Sequence, residues 1–308
     1  MANSFHIAFY TLGGLKFWRD CFIRNGWRIQ QSLLSKRFRL LDNHNIRRAS
    51  GSYRHCLKAL NQYFSAWEIT DEASEITLIL PGLFRTRLAF SKMQKHLKGE
   101  GFNPVVLSYS STRNSVKQNA KAITKILNNL PENIQKVNFV TYSLGGLVLR
   151  EVIAANDEWH NRISIGRIVQ IAPPNQGSRF ASSLAKYFFW RLIIGKGLTD
   201  MSVGKAKKVP PFPSGTDFSV IAGFKGTEKG YNFLAKGKSD NDGIISINET
   251  KLAGASDFTA FRIAHFFLLS SPEVLESTER YLTKGHFSGK RNIKQIKPAF
   301  HDVMNSIY

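Results

Sequence analysis

From residue 76 onward, short β-rich apolar runs alternate with segments of helical periodicity, and this alternation restricts the chain to a mostly parallel sheet with crossover helices. The run ITLIL (76–80) reads as a buried strand that Pro81-Gly82 ends. A helix over about 88–98, a strand over 104–108 and a helix over about 115–130 follow, the last with Val116, Ala120, Ile123, Ile126 and Leu127 at helical spacing. Strands over 137–141 and 168–172 flank a helix over 145–155. Residues 173–213, rich in proline and glycine, break the pattern and read as an excursion over the sheet. Alternation resumes with strands over 218–222 and 258–263 and a closing helix over 272–282.

With 308 residues, 43% of them hydrophobic and 21% charged, the chain can bury a sizeable core without disulfides or metal. Its two cysteines, Cys21 and Cys56, form neither a CxxC nor a Cys/His metal spacing. Residues 1–15 lack a basic start and a small-residue cleavage site, and no run approaches the ~18 apolar residues needed to span a bilayer. The expectation is a cytoplasmic protein, soluble or peripheral on the membrane. Three regions are expected: a basic helical extension (1–70), a catalytic domain (71–285) with an insertion at about 173–216, and a basic tail (286–308).

The net charge of +21 is uneven: residues 1–65 hold eleven Lys/Arg against two Asp/Glu, and residues 284–308 hold five against one. Over 14–41, Trp18, Phe22, Ile29 and Leu33 recur at roughly helical spacing among Lys16, Arg19, Arg24, Arg28, Lys36, Arg37 and Arg39. That pattern fits a basic amphipathic helix on an anionic membrane surface, or equally a helix docked on the body with a solvated basic face. No nucleic-acid module is recognisable, and charge alone gives only non-specific binding, so a specific nucleic-acid partner is not expected. The apolar run over 184–194 suits a lid or acyl-binding wall as well as it suits a core helix.

The chemistry centres on Thr141-Tyr142-Ser143-Leu144-Gly145-Gly146, between an expected strand and an expected helix. A tight turn there lifts the Ser143 hydroxyl clear of the sheet and aims the Leu144 N–H at a developing oxyanion, as in a nucleophile elbow. A serine needs a base, and the base needs an orienting acid. Asp242 in Ser239-Asp240-Asn241-Asp242-Gly243 is the preferred acid, with Asp240 as the rival, and His265, after the last expected strand, is the base. The chain order Ser, Asp, His is the one that this kind of hydrolase uses. Leu83, just past Pro81-Gly82, is assigned as the second oxyanion donor beside Leu144.

Over 76–287 the sequence resembles a bacterial lipase/esterase family of the α/β-hydrolase superfamily. LPGLFRT is similar to its oxyanion segment, VNFVTYSLGGLVLR to its elbow and IVQIAPPNQGS to the strand and loop that follow, while NDGIISINETKLAG and HFFLL are similar to its acid and histidine loops. The resemblance implies an α/β-hydrolase fold, a mostly parallel sheet flanked by helices with a lid-like insertion and a helical N-terminal extension. It also places Ser143, Asp242 and His265 on the triad positions. Two departures stand out: Pro81 replaces the family's usual histidine, and Thr141 with Tyr142 replaces its commoner elbow residues. The function expected is serine hydrolysis of carboxylic esters, lipid-like ones in particular, with no metal or organic cofactor. Acyl transfer or thioester hydrolysis with the same triad, or a non-catalytic protein that binds membrane or nucleic acid, remain the alternatives.

Overall fold

The structure is a computed structural model and describes residues 17–71, 73–187, 195–225 and 240–287. Its N-terminal part corrects the helical expectation. Strands β1 (Trp18–Arg24), β2 (Trp27–Ser32), β3 (Phe38–Leu41) and β4 (Arg47–Gly51) form an antiparallel sheet in sequential order, and a single helix, α1 (Tyr53–Ala66), covers it. The β1–β2 hairpin turns on Asn25-Gly26, with φ of 45° and 76°, the left-handed pair that a two-residue turn with the right twist demands. Strand periodicity therefore prevails over the four-residue spacing of Trp18 and Phe22. Trp27 and Ile29 face α1 and pack with Leu40, Cys56, Leu60 and Phe64, whereas Arg28 and Gln30, on the opposite face, are also buried. Of the apolar stripe proposed for a membrane-binding helix, Ile29 and Phe22 pack into this small core.

The polar face of the N-terminal sheet is buried because it meets the body. Asp20 accepts from Arg28 Nη1 (3.1 Å), Gln30 Nε2 (2.8 Å) and the Ser108 N–H (2.7 Å), and its own N–H donates to the Ser108 carbonyl (2.8 Å). Arg28 also reaches the Val106 carbonyl at 3.3 Å. Ile23 of β1 joins the main core.

The body is a six-stranded sheet, parallel throughout, built from β5 (Glu75–Leu80), β6 (Pro104–Val106), β7 (Lys136–Tyr142), β8 (Ser164–Ile171), β9 (Phe218–Gly223) and β10 (Asp257–Phe261). The spatial order β10-β9-β8-β7-β5-β6 puts β7 near the centre. Helices α2 (Ser91–Gly99), α3 (Val116–Asn128), α4 (Leu144–Ala154), α5 (Arg179–Ala185) and α6 (Pro272–Lys284) complete it. Successive strand residues face opposite layers: Leu78 and Phe139 pack with Ile123 of α3 and Leu147 of α4, and Ile79 and Val140 pack with Met93 of α2 and Tyr281 of α6. Sheets of this kind need both faces covered, which explains the near-continuous apolar runs of the sequence.

The described residues between β8 and β9 leave the sheet as expected, and they are tied down. Ala181, Leu198, Met201 and Phe212 belong to the main core. The buried Arg150 guanidinium of α4 binds the Asn175 carbonyl (3.1 Å) at one end of the excursion and the Pro210 carbonyl (2.9 Å) at the other. Much of the apolar run assigned to a lid, the basic tail beyond Phe287 and the first sixteen residues lie outside the described residues. Among the described residues no helix is long and apolar enough to cross a membrane.

Candidate active site

Ser143 stands between β7 and α4 at φ 52°, ψ −122°, a conformation that a residue with a side chain adopts only when its surroundings impose it. Two glycines supply those surroundings. At Gly145 a Cβ would lie 2.3 Å from the Leu80 carbonyl oxygen, so only glycine lets α4 start against the end of β5. At Gly82 a Cβ would lie 2.9 Å from Ser143 Cβ, so the loop after β5 passes directly over the turn. The Ser143 N–H donates to the Ile171 carbonyl (2.9 Å), which fixes the turn to the neighbouring strand.

Asp242 and His265 come together on two loops at the same edge of the sheet. His265 Nδ1 lies 2.6 Å from Asp242 Oδ2, and the His265 N–H donates to the Asp242 carbonyl at 2.9 Å. The other carboxylate oxygen, Oδ1, accepts from the N–H groups of Ile244 (3.0 Å) and Ile245 (2.8 Å). Asp242 is 2% exposed and His265 4%, whereas Asp240 is exposed and its carbonyl accepts from the Ile247 N–H. The structure therefore places Asp242, of the two acids, on the imidazole. Its loop is anchored to the excursion, where Ser178 donates to the Ile244 carbonyl (2.9 Å) and Glu249 accepts from the Arg179 N–H (2.8 Å).

Tyr142 joins this pair to the elbow. Its hydroxyl donates to the His265 carbonyl (2.8 Å), and the two rings lie 4.9 Å apart. Burial pushes the phenol well above its ordinary pKa, with Asp242 adding to the push and the Arg85 guanidinium opposing it, so Tyr142 remains a donor. Tyr109, likewise raised by burial, donates to the Pro81 carbonyl and braces the loop after β5. The elbow departure noted in the sequence thus has a structural task, and neither tyrosine carries a sequence signal that would have revealed it.

Leu83 and Leu144 approach one another across the excursion: a Cβ on Gly197 would meet Leu83 Cδ1 at 2.9 Å and Leu144 Cδ2 at 3.2 Å. Among the described residues no acceptor pairs with the Leu83 or Leu144 N–H, and no group of three His, Cys, Asp or Glu side chains is placed to hold a metal ion. Leu144 opens α4, where a backbone N–H has no partner within the helix. Around the site, Phe84, Leu88, Phe266 and Phe267 are exposed on the loops that carry Leu83 and His265.

The parallel sheet, the serine turn at the end of its central strand and the loops that follow the later strands define an α/β-hydrolase fold. Solved structures share it. The chain is similar to Bacillus licheniformis lipase BlEst2 in mature form, with 18% identity and a TM-score of 0.54 over 70% of this chain and 94% of that one. It is also similar to the metagenomic carboxyl esterase MGS0156, with 18% identity and a TM-score of 0.53 over 64% of this chain and 66% of that one. The propeptide form of the Bacillus lipase matches with a TM-score of 0.55 at 18% identity, over 70% of this chain and 52% of that one. A family model described as "Domain of unknown function (DUF7379)" matches residues 55–192. No curated protein matches the chain.

Proposed function

We propose that this chain is a serine hydrolase of carboxylic esters, with Ser143 as nucleophile, His265 as base and Asp242 as the acid that orients it. One observation carries the reading: a strained serine turn lies next to a buried His–Asp pair that Tyr142 ties to it. With Asp242 accepting from Nδ1, the imidazole keeps Nε2 as its acceptor nitrogen. In the reaction Nε2 takes the Ser143 proton as Oγ forms a bond to the ester carbonyl carbon. The Leu83 and Leu144 N–H groups hold the resulting oxyanion. Collapse breaks the bond to the leaving alcohol, which takes the proton from His265, and a water activated by the same base then releases the acid. Lipid-like acyl esters are the class favoured, because the loops bearing His265 and Leu83 expose Phe84, Leu88, Phe266 and Phe267 where an acyl chain would arrive.

Hydrolysis of p-nitrophenyl esters of increasing acyl length by the wild type and Ser143→Ala tests this. The expected result is activity that rises with chain length and falls on the order of 10⁶-fold in the variant. No turnover of any ester would contradict the reading, and diversion of the acyl group to an added alcohol in preference to water would make the protein a transferase.

A further inference from the structure

We propose that Arg85 is a specificity residue of this site and that the substrate is an ester carrying an anionic group, carboxylate or phosphate. The inference rests on the hydrolase reading above and narrows its substrate class. Arg85 sits three residues beyond Gly82, with its N–H donating to the Gly82 carbonyl at 3.2 Å, and Gly82 in turn abuts Ser143. Its guanidinium carbon is 4.8 Å from the centroid of the Phe266 ring and 5.8 Å from that of Tyr142, the residues adjoining His265 and Ser143. The cation is therefore held between the histidine loop and the elbow, over an aromatic ring from each.

The protein meets this guanidinium only in part, through the Tyr142 hydroxyl, which accepts a hydrogen bond from it. Arg85 Nη2 is buried and makes no hydrogen bond, and among the described residues no carboxylate lies within ion-pair distance of it. Other arginines differ: Arg24, Arg28, Arg48 and Arg167 each have an aspartate. The nearby Asp242 already has its oxygens occupied by His265, Ile244 and Ile245. A guanidinium fork matches two oxygens of one anion, and a desolvated donor without an acceptor is most readily completed by one that arrives with the ligand. Phe266, whose ring this cation contacts, is itself 62% exposed.

The test compares two matched pairs in the wild type, Arg85→Met and Arg85→Lys. One pair is p-nitrophenyl butyrate with mono-p-nitrophenyl succinate; the other is monoacylglycerol with its glycerol-phosphate counterpart. The expected result is a fall of about tenfold or more in the anionic-to-neutral ratio of kcat/KM in Arg85→Met, consistent with a charged hydrogen bond, and partial recovery in Arg85→Lys. The pair that responds tells carboxylate from phosphate. Equal losses on neutral and anionic esters, the mark of a clamp that only holds the loops, would overturn the proposal, as would unchanged ratios. Binding of dodecanoate and dodecyl phosphate to Ser143→Ala, with and without Arg85→Met, needs no turnover. Binding that depends on Arg85 in a protein that hydrolyses no ester would sink the hydrolase reading alone. Ester turnover whose substrate ratios ignore Arg85 would sink this inference alone.

Discussion

Asp20 and Asp242 are each 2% exposed, and each carboxylate accepts three hydrogen bonds: Asp20 from Arg28, Gln30 and the Ser108 N–H, Asp242 from His265 and the N–H groups of Ile244 and Ile245. The difference lies in the partner. A guanidinium is a donor only, so Asp20 with Arg28 fastens the N-terminal sheet to Ser108 and Val106 at the sheet edge. An imidazole carries an acceptor nitrogen besides its donor, so a carboxylate satisfied in the same way can orient a base. Similar burial and similar hydrogen bonding thus give a structural joint in one place and a candidate catalytic pair in the other.

Substitutions should separate the two. The largest effect is expected for Asp242→Asn, which turns the imidazole to the wrong tautomer: kcat should fall about 10⁴-fold, near 5 kcal/mol of barrier, with little change in the melting temperature. Comparable loss of stability and rate would mean that this pair, too, is merely structural. Asp20→Ala should do the reverse, leaving Arg28 buried without its partner at a cost of about 3–5 kcal/mol in denaturant unfolding, while folded protein retains its kcat. Tyr142→Phe removes one hydrogen bond to the His265 carbonyl and should cost about 1 kcal/mol, seen as a several-fold drop in kcat if that bond positions the histidine loop. The smallest change is expected at the partly exposed Arg24–Asp71 pair (2.8 Å), where Arg24→Ala should lower stability by about 0.2–1 kcal/mol and salt should mask the difference.

The same two regions differ in how far they could be read beforehand. Strands β5 to β10 and their helices were legible within a few residues, because a parallel sheet covered on both faces writes its strands as unbroken apolar runs. The N-terminal sheet was not. Its polar face is buried against the body, so Arg28 reads as part of a solvated basic face, and Trp18 and Phe22 fall four apart by accident. The dipeptide Asn25-Gly26, a strong hairpin signal, was the available corrective. In the candidate site, Ser143 and His265 are assigned from chain order and strand position. The choice between Asp240 and Asp242 depended on a loop that turns the Ile244 and Ile245 N–H groups onto one carboxylate. Tyr142 meets a carbonyl 123 residues further along, a contact that no local pattern encodes.

The most direct test of the central claim is labelling of the intact protein with a fluorophosphonate, read by mass spectrometry of the modified peptide. The account predicts a single adduct on Ser143, absent in Ser143→Ala and strongly slowed in His265→Ala. Undiminished labelling of Ser143→Ala, or no adduct on Ser143 in the wild type, would contradict it.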